Sequence, residues 1–386
     1  MTERGQELLQ YFRNHQQDFL SLLKSLVELE TPSDDPSSFS EIFSLLTEEF
    51  EELNFSVTRI EGEKTGGQLL CTPKDTDPQK PNQLILGHCD TVWETGTLDQ
   101  MPFTVEGNEI SGPGIYDMKA GIAMMIFALK AITELNSEMS HQPIFLINTD
   151  EEIGSNESKE LIIEQAKKSA RTFVLEPSLG SEGKIKTARK GIGEFEVTIN
   201  GTPSHAGLAP EEGVSAILGL SHIVQQLFKL NDPSSGISVN VGTIEGGERS
   251  NVIAAQSKAV IDVRIPTKED GERIKEKIYN LESDMDGIEL EISGGINRPP
   301  LEKGPANKQL WQTTKKLGKE LGIELEEGTS GGASDGNFTN LYSPTIDGLG
   351  AVGEGAHAYH EKIFLDETIK RLALFTLLLQ QPDIGK

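Results

Sequence analysis

Cysteine is nearly absent from this chain. Its 386 residues include two, Cys71 and Cys89, with no CxxC pair. That excludes a disulfide framework and fits a reducing compartment. Positive charge is also scarce: 35 Lys and Arg stand against 61 Asp and Glu, a formal net charge of −26. Such a charge argues against nucleic acid and against an anionic membrane surface as partners. It also means that an acidic substrate would need local cations. No apolar run approaches a membrane span, and Met1–Gln10 is polar, so the expectation is a cytoplasmic protein. A phosphate loop of the GxxxxGK[ST] type is missing, which speaks against nucleotide binding.

What is present is alternating strand and helix signals. Apolar positions at Leu8, Leu9, Phe12, Phe19, Leu22, Leu23 and Val27 predict one helix over Glu7–Leu29, and Ser40–Leu53 reads as another. Leu84–Leu86, Ile144–Ile147 and Phe173–Leu175 read as buried strands, with a helix over Ala120–Leu135 packed between them. This is the pattern of an α/β fold whose mixed sheet is covered by helices. Near Lys190 the pattern changes. Phe195, Val197 and Ile199 alternate with polar residues, as in a half-exposed antiparallel strand. Helices over Gly213–Leu230 and Lys268–Leu281 and strands over Ile237–Ile244 and Ala259–Val263 complete a small α+β unit. The first pattern resumes near Leu310 and ends with a helix over Asp366–Leu379. The expected organisation is one domain, residues 1–189 and 298–386, interrupted by another, residues 190–297.

Five motifs carry acids or histidines. In His88-Cys89-Asp90, strand alternation puts His88 and Asp90 on one side and Cys89 on the other, as a carboxylate–histidine–metal relay needs. In Gly112-Pro113-Gly114-Ile115-Tyr116-Asp117-Met118-Lys119, the glycines permit a tight turn that directs Asp117 inward. Asp150-Glu151-Glu152 follows a strand and is, alone, equally a solvated acidic loop. Glu176-Pro177 ends another strand. His357 lies in Gly353-Glu354-Gly355-Ala356-His357, with His360 as a competitor three residues on. Most of these groups follow strands or glycine turns, where α/β sheets build their sites. Two histidines and several carboxylates suit zinc, with cobalt or manganese as substitutes.

Together with Ser204-His205-Ala206-Gly207, these motifs resemble the co-catalytic dizinc exopeptidases and deacylases. That family includes glutamate carboxypeptidase, acetylornithine deacetylase, succinyl-diaminopimelate desuccinylase and aminoacylase. The resemblance runs from about residue 20 to 380 and is strong toward bacterial glutamate carboxypeptidases of the carboxypeptidase G type. It implies a zinc-exopeptidase-like domain with a ferredoxin-like lid and dimerisation domain, and two Zn2+ per chain. Asp117 would bridge them, with His88 and Glu176 on one ion and Glu152 and His357 on the other. Asp90 would orient His88. Glu151 would be the general base for a water held between the zincs, and His205 would stabilise the oxyanion. Asn251 and Arg264 match substrate-carboxylate positions, and Lys184 is a further candidate for an anionic group. The implied substrate is a small peptide or N-acyl amino acid with a free carboxylate, glutamate being the first choice. The implied assembly is a homodimer through the lid. Three positions depart from the pattern: Cys89, Met118 and His360 stand where an apolar residue, an Asp and an Asn or Asp are usual. The alternatives are an N-acyl amino acid deacylase, an aminopeptidase acting on small peptides, and a metal-binding protein without catalysis.

Overall fold

The computed structural model describes residues 1–382. The chain forms two compact units. Among the described residues, the first comprises Met1–Ala188, Lys303–Ser330 and residues 334–382; the second comprises Arg189–Glu302 with Gly331–Ala333.

The first unit is built on a six-stranded mixed sheet. Its order is Phe55–Ile60, Gln68–Pro73, Gln142–Asn148, Asn82–His88, Ser169–Val174 and Thr345–Ile346. The two outermost strands on the first side run antiparallel to their neighbours, and the other four are mutually parallel. Both faces of Asn82–His88 are covered, as a parallel strand requires. Ile85 packs into the large core with the helices Gln16–Glu28, Ala120–Glu134 and Leu365–Gln380. Leu84 and Leu86 point the other way, to Ile162, Ala166 and Phe338. The helix Ala120–Glu134 lies so close to the sheet that a Cβ on Gly121 would sit 2.2 Å from the Leu175 carbonyl oxygen.

The expected single N-terminal helix is two, Glu3–Asn14 and Gln16–Glu28. The break is at His15, which leaves helical geometry (φ −103°, ψ 17°) while its Nδ1 lies 2.9 Å from the Tyr11 carbonyl and its ring stacks on Tyr11. Apolar periodicity continues across the break, so the pattern alone conceals it. A small antiparallel sheet of Thr104–Glu106, Glu109–Ser111, Lys362–Phe364 and Gly353–Glu354 also escaped the sequence reading. Its strands are too short to carry a period.

The second unit has an antiparallel sheet in the order Ser238–Gly246, Gln256–Ile265, Gly191–Asn200, Glu289–Arg298. The helices Ala216–Phe228 and Lys268–Tyr279 pack on one face, burying Phe195, Val197, Ile199, Ile261 and Val263. The chain order, β-α-β-β-α-β, is ferredoxin-like.

Candidate metal centre

Three parallel strands of the first unit deliver the acids and a histidine to one edge. His88 ends Asn82–His88 and is level with Asn148 on one side, while Leu86 is level with Val174 on the other. The residues just beyond, Asp150 to Glu152 and Glu176, therefore emerge beside His88. This is the carboxyl edge of the sheet, where α/β folds place their sites.

His88 is the hub. Its Nε2 lies 3.2 Å from Asp117 Oδ1 and 3.4 Å from Glu176 Oε1. Its Nδ1 lies 3.0 Å from the Asp90 carbonyl and 3.3 Å from Asp90 Oδ1. Asp90 is itself fixed, since Oδ2 accepts from Ser33 Oγ at 2.8 Å and from the Glu152 N–H at 3.2 Å. An Nδ1 so held turns Nε2 toward the carboxylates. Asp117 sits in the turn Ile115–Lys119 with non-helical φ/ψ (−115°, 94°), and Gly114 opens that turn at φ 69°. Asp117 faces both histidines: Oδ2 lies 3.5 Å from His357 Nε2, which is also 3.1 Å from Glu152 Oε2. Glu151 brings a carboxylate oxygen within 4.8 Å of ligand atoms of His88 and Glu176.

The electrostatics follow from this crowding. Burial opposes charge on His88, but hydrogen bonds to Asp117, Asp90 and Glu176 outweigh it and hold the imidazole protonated well above its usual range. Asp117 and Glu152 raise His357 to about 10. Burial and Glu176 push Asp117 up, yet the two imidazoles leave it below the usual carboxylate range. Burial raises Glu152. The two histidines offset part of the negative charge of the cluster.

The donor set fits divalent cations. Ligands about 2.0–2.1 Å from a tetrahedral zinc lie about 3.3 Å from one another. The His–carboxylate separations here are 3.2, 3.4, 3.5 and 3.1 Å. Replacing the two shared protons by cations would need little rearrangement.

The structure thus brings together His88, Asp90, Asp117, Glu151, Glu152, Glu176 and His357. It is His357 that reaches Glu152 and Asp117, while His360 is exposed three residues on. Cys89 is buried, with Sγ 3.5 Å from the Asn148 carbonyl oxygen. Lys184 is ion-paired with Glu326 at 3.0 Å, whereas Lys186, which sequence reasoning missed, reaches Glu176 at 3.6 Å. His205, Asn251 and Arg264 belong to the second unit. His205 is exposed, and its Nδ1 accepts the Gly207 N–H at 3.1 Å. Asn251 is exposed, and its carbonyl accepts the Ala206 N–H. Arg264 is held by Asp262 of its own strand through Nε and a terminal nitrogen, both at 2.9 Å.

Two other buried acids were missed. Glu361 accepts hydrogen bonds from Trp93 Nε1 and from the N–H groups of Gly114, Tyr116 and Asp117, and burial raises its carboxyl to about 7. Asp335 accepts from Asn148 Nδ2 at 2.6 Å and from Ser155 Oγ, which steadies the loop that carries Glu151 and Glu152. Glu361 had one sequence signal, its spacing of four from His357.

A site that gathers two imidazoles and five carboxylates at the sheet edge fits a metal-dependent hydrolase. Residues 84–381 match Peptidase family M20/M25/M40, and the chain belongs to that family. It is 30% identical over 393 residues to carboxypeptidase G2 of Pseudomonas sp. (strain RS-16), covering 100% of this chain and 94% of that protein. It is 27% identical over 298 residues to succinyl-diaminopimelate desuccinylase of Paracidovorax citrulli (strain AAC00-1), covering 73% of this chain and 76% of that protein. The crystal structure of aminopeptidase PepT from Bacillus cereus ATCC 10987 matches with a TM-score of 0.80 at 23% identity, over 96% of this chain and 99% of that one, and shares the fold. The protein is a metallohydrolase acting on peptide or amide bonds. Among the described residues, no helix is long and apolar enough to cross a membrane.

Proposed function

We propose that the protein is a two-zinc carboxypeptidase that releases a C-terminal amino acid, glutamate being the first choice. The observation that carries the two-metal reading is the division of Asp117, whose Oδ1 faces His88 and whose Oδ2 faces His357. A carboxylate so placed can serve two ions at once. In our reading His88 and Glu176 complete one ligand set, and Glu152 and His357 the other. Cobalt or manganese would also suit these donors. The bound pair would polarise the scissile carbonyl and acidify a water.

Glu151 is the proton carrier in this reading. It takes the proton of the attacking water and returns it to the leaving amine. Asp90 acts only through His88, by fixing its ring. His205 is assigned to the oxyanion, and Asn251 and Arg264 to the substrate carboxylate. For these three the support is the motif match. Arg264 already carries Asp262, so a substrate carboxylate would share or displace that partner. Lys184, paired with Glu326, is a candidate for a second anionic group by the motif match alone.

The preference for glutamate rests on the motif resemblance to bacterial glutamate carboxypeptidases, and the likeness to carboxypeptidase G2 supports the carboxypeptidase reading. The likeness to a desuccinylase favours the second reading, an N-acyl amino acid deacylase. Both cut an amide beside a carboxylate. A panel of N-blocked C-terminal glutamate peptides against N-acetyl and N-succinyl amino acids separates them by kcat/KM. Preference for the acyl amino acids would replace the first reading with the second.

We also propose a lid and dimerisation role for the second unit. Its outer strand Ser238–Gly246 exposes Ile244, and the helix Ala216–Phe228 exposes Ile217, Leu218 and Phe228. An open sheet edge of this kind is a ready surface for strand pairing. Light scattering that returned one chain's mass would remove the dimer.

A further inference from the structure

We infer that Glu361 is a positioning residue for the metal centre, joining the segment that bears Asp117 to the segment that bears His357. The inference rests on the metal-centre reading above.

Glu361 is wholly buried (0% exposed) and follows His357 by four residues. Its Oε1 accepts the N–H groups of Tyr116 at 2.8 Å and Asp117 at 3.0 Å. Its Oε2 accepts the Gly114 N–H at 3.0 Å and Trp93 Nε1 at 2.9 Å. A carboxylate has about four lone-pair sites, and all four are used. Three of the donors are backbone groups of one irregular turn, in which Asp117 is non-helical and Gly114 has positive φ. Buried N–H groups in such a turn need an acceptor from elsewhere. Glu361 is that acceptor.

On its own side, Glu361 closes the loop of His357. Its N–H donates to the Ala358 carbonyl at 2.9 Å, and the Ala358 N–H donates to the Gly355 carbonyl at 2.8 Å. Between them His357 stands at φ 60°, a conformation that an L residue keeps only when its surroundings impose it. One residue therefore bonds both segments of the 3.5 Å contact between His357 Nε2 and Asp117 Oδ2, the Asp117 turn through its carboxylate and the His357 loop through its backbone N–H. The ligands of two different segments meet because Glu361 holds them.

Glutamine cannot replace it. An amide oxygen can serve one pair of donors, but the NH2 group would then face the other pair with like hydrogens. In Glu361→Gln, either the Trp93 and Gly114 side or the Tyr116 and Asp117 side must move.

The test is zinc binding by the full chain, stripped with a chelator and titrated by competition against a fluorescent zinc indicator. The melting temperature of the stripped protein is read beside it. The parent is expected to take up two ions. Glu361→Gln is expected to bind at least one of them about 10- to 100-fold more weakly, and excess zinc should restore its kcat with KM unchanged. Parental affinity for both ions in the variant, whatever its melting temperature, overturns the inference and leaves the metal-centre reading standing. Fewer than two ions in the parent overturns both. Should Glu361→Gln not fold, Trp93→Phe removes a single donor and is expected to weaken uptake about threefold; unchanged uptake there counts against the inference.

Discussion

Asp90 Oδ1 lies 3.3 Å from Nδ1 of His88, and both side chains are buried, His88 ending its strand and Asp90 standing two residues beyond. The pair orients Nε2 toward Asp117 and Glu176. Asp90→Ala should therefore lower metal affinity about 10- to 100-fold, without removing a ligand. Zinc retained per chain after dialysis against graded chelator checks this. An unchanged chelator midpoint would mean that the His88 ring is held by other contacts.

Glu151→Gln preserves size and hydrogen-bonding capacity but cannot carry a proton. We expect metal content near that of the parent and turnover lower by about 100- to 10,000-fold. Metal analysis and an amide-cleavage assay on one preparation decide it. Normal turnover would remove Glu151 as the base.

The histidines predict a pH dependence. His88 is held protonated well above its usual range, and His357 is raised to about 10. Metal ligation needs neutral imidazole, so zinc uptake at pH 7 should release protons. Calorimetry in buffers of different ionisation enthalpy counts them, and no net release would contradict the assignment. In the stripped protein, a raised histidine pKa stabilises the fold fully below about 6.5, the unfolded value, and that stabilisation fades as pH rises through about 10 for His357. The melting difference between the stripped parent and stripped His357→Gln should accordingly shrink from pH 6.5 to 10.

Arg264→Ala should raise KM for substrates with a free carboxylate and leave kcat much less affected, because a ground-state clamp acts on binding. The counterpart is a substrate whose carboxylate is amidated. If the parent cuts it as well as the free acid, the clamp is wrong.

Much of this architecture was legible in the sequence for a physical reason. Buried parallel strands such as Leu84–Leu86 and Ile144–Ile147 must be continuously apolar, and the unit around Phe195, Val197 and Ile199 must alternate. Acids placed directly after such strands are ambiguous one at a time, and it is their joint pattern with the histidines that points to a metal. What was not legible depended on contacts between distant segments. His15 breaks a helix without breaking its apolar period. Lys184 and Lys186 are two residues apart in sequence, yet one pairs with Glu326 and the other with Glu176.

The chemistry on offer is already written in the order of residues: two histidines and a series of carboxylates, most of them at the end of a strand or in a glycine turn. Tertiary structure alone decided which atoms meet. Strand register levels His88 with the strands that lead to Glu152 and Glu176, and the buried Glu361 carboxylate ties the turn of Asp117 to the loop of His357. Register and burial are set by packing on both faces of the sheet at once, which no local stretch of residues encodes.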